Sequence, residues 1–256
     1  MNKDNFFHIK SYKTKKIKYG FFSRKGGCSK NHFKSLNCSS KNDDSKTNVL
    51  KNIHIALSKI NLEKKNIKFS KQIHSNIVRI INYNNYDNTF EADGLITKDK
   101  NIALATLTAD CAPIFIFDKK ENYICCLHSG WKGTLKNIAK KGVGYFTNKK
   151  IDKKNIIVII GPCLSCKNYE VSKKFKNKFL NKNINYKKFF KDKNKQKDFF
   201  NMRGLINFQF KSLGITNIYN IKKDTYSNKS LFYSHRRSQH KAISKTGRMV
   251  NIIGFK

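Results

Sequence analysis

Three side chains that suit a metal ion lie at the ends of short, mostly apolar segments, namely His74, Cys111 and His128. Two imidazoles and one thiolate are donors that zinc prefers. Three protein ligands leave one coordination position for water or substrate, which is typical of a catalytic site rather than a structural one. The separations of 37 residues (74 to 111) and 17 residues (111 to 128) are too long for a compact zinc finger. A metal site here therefore requires a fold that brings distant segments together.

Each of these residues also has an ordinary explanation when it is taken alone. A histidine in an apolar segment is usually a hydrogen-bonded side chain of the core or surface, and a cysteine there usually behaves as a small buried apolar residue. Residue types and spacing alone leave both interpretations open.

Eight segments, in order along the chain from about residue 20 to the C-terminus, resemble the laccase-domain (YfiH-like) multifunctional purine nucleoside phosphorylase family. They are Arg24–Ser29, Ser35–Asn37, Lys71–His74, Glu91–Thr97, Thr108–Pro113, His128–Gly133, Ile160–Cys163 with Tyr169–Val171, and Thr246–Arg248. A single segment of this kind is weak support, but eight in the expected order are specific.

The resemblance implies a site and a fold. His74, Cys111 and His128 fall on the family's zinc ligands, with copper as the alternative metal, and Arg24 and Asn37 flank the active cleft. The implied fold class is α/β (α+β), with residues 1–256 forming a single layered domain of mixed β-sheets flanked by helices. The absence of a Pro/Gly/Ser-rich linker is compatible with one domain.

The resemblance also implies a zinc-dependent purine nucleoside phosphorylase acting on adenosine, inosine and methylthioadenosine, with adenosine deamination at the same centre. The partners are then purine nucleosides and phosphate. Phosphate needs a fixed cation, for which we rank Arg24 first and the pair Arg236 and Arg237 next. That pair is equally compatible with a solvated surface feature.

Two other enzyme classes compete with this interpretation. A copper-dependent phenol oxidase would also use two histidines and a cysteine, but none of the three methionines lies in a ligand segment and no His-x-His pair occurs. A zinc hydrolase that edits cell-wall precursors would differ only in its substrate.

The sequence departs from the family pattern at a few positions. Ser75 stands where Gly is usual, Ser129 where Ala is usual, and His235 where an aromatic residue is usual; Asp224 precedes Thr225 where some relatives have Cys. None of these changes removes a metal ligand, and His235 adds a titratable group near the expected site.

The formal net charge of +38 raises the possibility of a nucleic-acid partner. The basic residues, however, are almost all lysines spread along the chain, and no helix-turn-helix or RNA-binding signature accompanies them. We therefore expect no specific nucleic-acid partner, and only a salt-sensitive affinity for RNA without sequence preference. The sequence does not indicate an oligomeric state.

The seven cysteines are odd in number and show no disulfide framework, so we expect a cytoplasmic protein. No segment has the length of a membrane span, and Met1–Gly20 lacks the apolar core of a signal peptide. Pro162–Cys166 carries half of the zinc deaminase signature, but none of the seven histidines has Glu two residues later. We interpret Cys163 and Cys166 as structural.

Short apolar runs and helical periodicity predict the elements that position these residues. The predicted strands of a mixed sheet are Lys16–Ser23, Ile77–Ile81, Ile102–Leu107, Ile114–Phe117, Tyr123–Leu127, Asn155–Ile160, Asn217–Ile221, Leu231–Ser234 and Arg248–Phe255. The adjacent Cys125 and Cys126 should point to opposite faces of their strand.

Helices are predicted at three places. The first runs from Thr47 to Ile60, with Leu50, Ile53, Leu57 and Ile60 on one face. It follows an exposed loop, Lys41–Asn48, that supplies its cap. The second follows His128, through Leu135, Ile138, Ala139, Val143 and Phe146, and the third is Asp198–Leu213. The lysine-rich segment Lys173–Lys197 is predicted to lie outside the core.

Overall fold

Two mixed β-sheets form the middle of the fold in the computed structural model, which describes residues 5–9, 12–40 and 43–256. The strands are β1 Phe6–Phe7, β2 Ile17–Phe22, β3 Asn66–Lys68, β4 Val78–Ile80, β5 Gly94–Thr97, β6 Ile102–Thr108, β7 Ala112–Asp118, β8 Ile124–Ser129, β9 Ile156–Ile160, β10 Glu170–Ser172, β11 Phe190–Asp192, β12 Lys197–Phe200, β13 Asn217–Asn220 and β14 Met249–Phe255. The helices are α1 Lys46–Lys59, α2 Trp131–Leu135, α3 Ile138–Asn148, α4 Lys173–Leu180, α5 Met202–Ser212 and α6 His235–His240.

The two large sheets pack face to face. One has five strands in the order β1-β2-β14-β6-β3, and the other has six in the order β13-β9-β7-β8-β5-β4. Phe21 of β2 stacks on Phe115 of β7 with ring centroids 4.3 Å apart, inside a core cluster that both sheets supply. A smaller sheet, β10-β12-β11, lies to one side. The chain is therefore a layered α/β protein with mixed sheets, as predicted.

The alternation of side chains along the central strands supplies both faces of the six-stranded sheet. On β7, Phe115 faces the other sheet, whereas Ile114 belongs to the cluster beneath α3 and α5. The same alternation separates Cys125 from Cys126, which confirms that they point to opposite faces. A strand with two buried faces reads as a continuous apolar run, which explains why these strands were visible in the sequence.

One predicted helix, Asp198–Leu213, is confirmed only from Met202 to Ser212, and one predicted strand is wrong. Residues 198–200 are not helical, because they pair as β12 between β10 and β11; the helix begins only at Met202, and Asn201 caps it by accepting a hydrogen bond from the Gly204 amide. Leu231–Ser234 is not a strand. Its last residue, Ser234, instead caps α6 by accepting from the Arg237 amide. Both errors come from apolar residues that precede a polar helix cap.

The buried face of α1 also differs from the predicted one. Leu50 is 68% exposed, whereas Asn52 is fully buried. The Asn52 side chain accepts from the Cys28 amide and donates to the carbonyl of Asn37 at 2.7 Å, so hydrogen bonds pull this polar residue inward. In the preceding loop, Lys41 and Asn42 lie outside the described residues. The residue that precedes the helix is Ser45, whose side chain makes no capping hydrogen bond.

The prediction that Lys173–Lys197 lies outside the core is wrong. Its lysines are mostly exposed, but Phe179 and Tyr186 are buried in the main core cluster. Phe175 and Phe190 pack against that cluster and contact Phe200. This segment thus forms one wall of the fold.

The predicted second helix is divided into α2 and α3. Asn137 lies between them with φ 57°, and its side chain accepts from the Lys140 amide to begin α3. Among the described residues, no helix is long and apolar enough to span a membrane.

Candidate metal centre

The three predicted metal ligands meet in space. Their ligand atoms all lie within 4.8 Å of one another, and the imidazole rings of His74 and His128 are nearly perpendicular with centroids 5.0 Å apart. His128 lies near the end of β8 and is buried, Cys111 lies in the turn between β6 and β7, and His74 is in the exposed loop that follows β3. The fold therefore brings together residues from three separate segments.

One buried carboxylate holds two of these ligands in place. Asp93 accepts hydrogen bonds from His128 Nδ1 at 2.8 Å and from the backbone amide of His74 at 3.0 Å. It also accepts from the backbone amide of Ser75 at 2.6 Å, so it fixes the loop around His74. Because Asp93 engages Nδ1, the Nε2 atom of His128 is the one that remains for a metal.

Asp110 connects the Cys111 turn to helix α6. Its carboxylate accepts from the backbone amide of Arg236 at 2.7 Å and from the Ser234 hydroxyl at 3.0 Å. The other carboxylate oxygen of Asp110, Oδ1, accepts from the hydroxyl of Thr225 at 2.6 Å. Since Asp110 directly precedes Cys111, the first turn of α6 is fixed relative to the candidate ligand.

Gly130 leaves room for the three ligands to approach one another. A methyl group at this position would come within 3.0 Å of both Cys111 Sγ and His74 Cδ2. Contacts this short would force one of these side chains to move. The glycine after β8 therefore permits the close arrangement of ligands.

The electrostatic surroundings favour the thiolate of Cys111. Burial alone would raise the pKa of this thiol, but the neighbouring imidazoles of His128 and His74 lower it to about 6. Burial lowers the pKa of His128, whereas Cys111 and Asp93 raise it, to about 9. The thiolate is thus the prevailing form near neutral pH.

The arrangement fits zinc. In a tetrahedral zinc site, donors at about 2.0 to 2.3 Å from the metal lie roughly 3.3 to 3.8 Å from each other. The candidate ligand atoms all lie within 4.8 Å of one another, so small side-chain movements, of no more than about 1 Å, bring them into this range. The donor set of two nitrogens and one thiolate is one that catalytic zinc uses.

Zinc affinity should depend on pH through these same groups. Because a metal needs the thiolate and neutral imidazoles, affinity should fall as the pH drops through the pKa of Cys111, about 6. At neutral pH, zinc should release a proton from His128, whose pKa is raised. Titration with a competing chelator across this range measures the affinity, and calorimetry in buffers of different ionisation enthalpy counts the protons. An affinity that does not change with pH would contradict this expectation.

A second prediction concerns Asp93. Asp93→Asn keeps the size of the side chain but removes the charge that faces His128 and part of the anchoring of the His74 loop. Loss of such an orienting carboxylate typically weakens metal affinity by about 10- to 100-fold. The measurement is the zinc dissociation constant, with Asp99→Asn as a matched control on a turn away from the ligands. Equal zinc affinity in both variants would show that Asp93 only stabilises the loop around His74 and does not contribute to zinc binding.

The trio lies where two cavities meet. His74, Cys111, Ala109 and His235 line both cavities. We call the larger, of about 460 Å³, the aromatic lobe; its other lining residues include Trp131, Tyr169, Phe175, Met202, Arg236 and Gln239. The smaller, of about 360 Å³, we call the polar lobe; it is also lined by Ser39, Ser70, Gln72, Leu107, His128 and Arg248.

The four predicted substrate-binding residues do not share one location. Arg236 lines the aromatic lobe, with its guanidinium 5.4 Å from the Tyr169 ring centroid and its Nη1 donating to the carbonyl of Glu170. Arg24 and Arg237 line a different cavity, which contains none of the three candidate ligands. Asn37 is fully buried and uses its side chain to accept from the backbone amide of Arg248.

Arg248 is the cation that sequence reasoning did not select. It lines the polar lobe together with all three candidate ligands. Burial lowers the pKa of its guanidinium, while the charges of Cys111 and Asp110 raise it. Arg248 is the last residue of Thr246–Arg248, one of the eight segments that resemble the family. The sequence therefore contained a signal that pointed to this residue. Asp93, within Glu91–Thr97, was missed in the same way.

The fold and the site together define a class. A cysteine and two histidines, one of them hydrogen-bonded to a buried carboxylate, lie at the junction of two cavities on a layered α/β fold and suit a single metal ion. The chain belongs to the family described as multi-copper polyphenol oxidoreductase laccase, whose match covers residues 18–256.

Curated relatives and solved structures agree with this assignment. The purine nucleoside phosphorylase RP494 of Rickettsia prowazekii is 35% identical over 189 residues, which are 72% of this chain and 76% of that protein. The purine nucleoside phosphorylase YlmD of Bacillus subtilis is 30% identical over 264 residues, covering 95% and 90%. The structure of the hypothetical protein YfiH of Bacillus licheniformis aligns with a TM-score of 0.85 at 27% identity, covering 94% and 93%.

A fourth comparison supports the fold alone. The crystal structure of the Neisseria meningitidis protein NMB0706 aligns with a TM-score of 0.88 at 22% identity and covers 99% of this chain and all of that one. The layered arrangement of sheets and helices is therefore that of this group of structures.

Proposed function

We propose that the protein is a zinc-dependent purine nucleoside phosphorylase. It converts adenosine, inosine and methylthioadenosine, with phosphate, to the free base and a ribose 1-phosphate, and it deaminates adenosine at the same centre. The observation that carries the proposal is the position of the candidate ligands between an aromatic lobe and a polar lobe that contains an arginine. The names of the curated relatives support the reaction.

The aromatic lobe suits a purine base. Trp131, Tyr169 and Phe175 present large apolar surfaces next to the candidate ligands, and such rings bind a flat heterocycle by stacking and by excluding water. Trp131 contacts Phe175 with ring centroids 5.1 Å apart, so the two side chains support each other. For phosphorolysis, a base in this lobe places its ribose towards the metal centre, whereas deamination requires adenosine to bind with the amino-bearing carbon of its base at the metal.

The arginines suit the phosphate. Arg248 in the polar lobe and Arg236 in the aromatic lobe each have a guanidinium that backbone carbonyls hold, at 2.8 Å in both cases. Fixed guanidinium groups neutralise a phosphate dianion with aligned donors. We therefore place the phosphate next to Arg248 rather than next to Arg24, which lines another cavity.

Zinc, when bound by His74, Cys111 and His128, supplies a Lewis acid with an open coordination position. His235 lines both lobes next to it. Partial burial and the charges of Arg248 and Arg236 lower the pKa of this imidazole, while Asp110 raises it; the lowered pKa favours the neutral ring, which is able to donate to or accept from a substrate. The domain organisation is a separate part of the proposal. The five-stranded and six-stranded sheets share one hydrophobic core, which supports treating residues 1–256 as one domain.

One assay tests the proposal. Purified protein of known metal content is incubated with adenosine or inosine, with and without phosphate, and the products are separated by chromatography. Phosphate-dependent release of adenine or hypoxanthine together with ribose 1-phosphate supports phosphorolysis, and inosine formed from adenosine supports deamination. If the zinc-loaded protein releases no base from either nucleoside in phosphate, the proposal fails.

A copper-dependent phenol oxidase is the second candidate, because Met202 lines the aromatic lobe, which His74 and Cys111 also line. A thioether is a soft donor, which copper accepts and zinc rarely uses. Copper-loaded and zinc-loaded protein should be compared for phenol oxidation and for the visible absorption of a copper–thiolate bond. Phenol oxidation by the copper form, without phosphorolysis by the zinc form, would favour this candidate.

A further inference from the structure

Helix α6 separates the metal centre from a second cavity. Successive residues of a helix are rotated by about 100°, so His235, Arg236 and Gln239 lie on one side and Arg237, Ser238 and Lys241 lie on the other. The first set faces the aromatic lobe. The second set lines a cavity of about 430 Å³ on the other side of the helix.

The second cavity is strongly basic. Its lining side chains include the cations Arg24, Arg237, Lys229, Lys241 and Lys245, together with His32. None of its lining residues is acidic. The nearest ion pair joins Lys245 to Asp43, an exposed carboxylate. Among the described residues around this cavity, positive charge therefore far exceeds negative charge.

Two of these cations are fixed in place. The guanidinium of Arg24 donates from Nε to the carbonyl of Lys34 at 2.7 Å and lies 4.4 Å from the Tyr233 ring centroid. The guanidinium of Arg237 donates from Nη1 to the carbonyl of Thr225 at 2.9 Å, and its Nη2 donates to the carbonyl of Phe232. Carbonyl oxygens orient these groups without neutralising them.

The charges also act on each other. Burial lowers the pKa of Arg237, as does the charge of Arg24, while the carboxylates of Asp110 and Asp224 raise it. Asp224 is engaged with the amide of Ser165 and the side chains of Asn168 and Ser227. Asp110 is already engaged with the amide of Arg236 and the hydroxyls of Ser234 and Thr225. Two fixed guanidinium groups that share a cavity without a carboxylate of their own form a receptor for an anion.

We propose that this cavity binds a small phosphate-bearing anion with several negative charges, such as a diphosphate or a nucleoside polyphosphate. The guanidinium groups of Arg24 and Arg237 form the fixed base of the site, and Lys229 and Lys241 close over the ligand from its exposed rim. The site is distinct from the metal centre and does not rest on the phosphorolysis proposed above.

The main competing explanation is bulk charge, since a protein with a net charge of +38 attracts any anion. Bulk attraction is screened at physiological ionic strength, where the Debye length is about 8 Å, and it does not depend on which lysines are present. Binding in the cavity depends on particular side chains. A pair of lysine substitutions at the cavity and a matched pair elsewhere therefore separate the two explanations.

The test is calorimetric titration of the zinc-loaded protein with inorganic pyrophosphate and with ADP at physiological salt. The cavity variant is Lys229→Gln/Lys241→Gln, in which both side chains are exposed, and the control is Lys119→Gln/Lys120→Gln on an exposed turn after β7. We expect the cavity variant to weaken binding by at least about tenfold, because charge-assisted hydrogen bonds are lost, and the control by less than about twofold. A tighter complex with ADP would identify a nucleotide as the ligand.

A third variant locates the site. Cys111→Ala disrupts the metal centre but leaves this cavity intact, so pyrophosphate binding should persist in it. No binding by the unmodified protein, equal weakening in the two lysine pairs, or loss of binding in Cys111→Ala would overturn the proposal. Loss of phosphorolysis in Cys111→Ala would not affect it, so the two proposals can fail separately.

Discussion

Replacement of Cys111 by alanine is expected to remove bound zinc and nearly all phosphorolysis while the protein remains folded. The thiol supplies the only negatively charged donor of the trio, and its surroundings lower its pKa to about 6. Two imidazoles alone hold zinc far more weakly, so activity should fall by at least about a hundredfold. Metal analysis and the rate of base release from inosine measure the two effects.

Cys166→Ala provides the matched control. Cys166 is also a partly buried free thiol, but it lies in the C-x-x-C segment and not among the candidate ligands. This variant should keep its zinc and its activity. Thermal unfolding of both variants separates loss of metal from loss of fold. Full zinc occupancy and full activity in Cys111→Ala would show that the trio is not the metal site.

The candidate ligands were predictable because both their chemistry and their positions leave a trace in the sequence. Cys111 lies directly before β7 and His128 lies near the end of β8. Both strands are buried on both sides, and such strands are visible as apolar runs. Asp93 was less visible, because a carboxylate next to a glycine also suits an ordinary turn. Its role depends on hydrogen bonds to two distant segments, which no local pattern reports.

The cations around the site were not predictable in the same way. Arg236 and Arg237 are adjacent in sequence and were treated as one pair. Both arginines lie on helix α6, but their side chains line different cavities. Their separation is evident only once the helix and its cap at Ser234 are known. Because residues 231–234 were predicted to be a strand, the helix that begins at His235 was not predicted. An error in predicting the four residues 231–234 thus left the different directions of Arg236 and Arg237 unpredicted.

The lysine-rich segment shows a second limit. Its average composition resembles an exposed insertion, yet a few aromatic residues at helical spacing make it a wall of the aromatic lobe. Phe175 on α4 contacts Trp131, and Phe179 on the same helix is fully buried. Averages over a segment do not reveal such a face, because the abundant lysines occupy the other side of the helix.

Arg248 carries the second large effect that we expect. Its guanidinium lines the polar lobe together with the three candidate ligands, whereas Arg24 lines the cavity beyond α6. If phosphate binds in the polar lobe, Arg248 should contribute to phosphorolysis, whereas Arg24 should contribute little to it. Phosphorolysis needs the phosphate dianion, but deamination of adenosine does not.

Arg248→Gln should therefore raise the KM for phosphate and leave the deamination of adenosine much less affected. A charge-assisted hydrogen bond contributes about 1.5 to 3 kcal/mol, which corresponds to roughly 10- to 150-fold in KM if it is lost. Arg248→Lys should recover part of the affinity, because it restores the charge but not the two aligned donors. Both activities are measured over a range of phosphate concentrations, with zinc content as a check on the metal centre.

Two arginine variants complete the experiment. Arg79→Gln removes a guanidinium from the exposed edge strand β4 and should leave both activities unchanged. Arg24→Ala tests the assignment that the sequence favoured, and the proposed phosphate site in the polar lobe predicts that its KM for phosphate stays close to that of the unmodified protein. A rise in this KM for Arg24→Ala, with none for Arg248→Gln, would place the phosphate at the far side of α6 and refute the polar lobe as its site. A parallel loss of both activities in Arg248→Gln would instead make Arg248 a residue that positions the nucleoside.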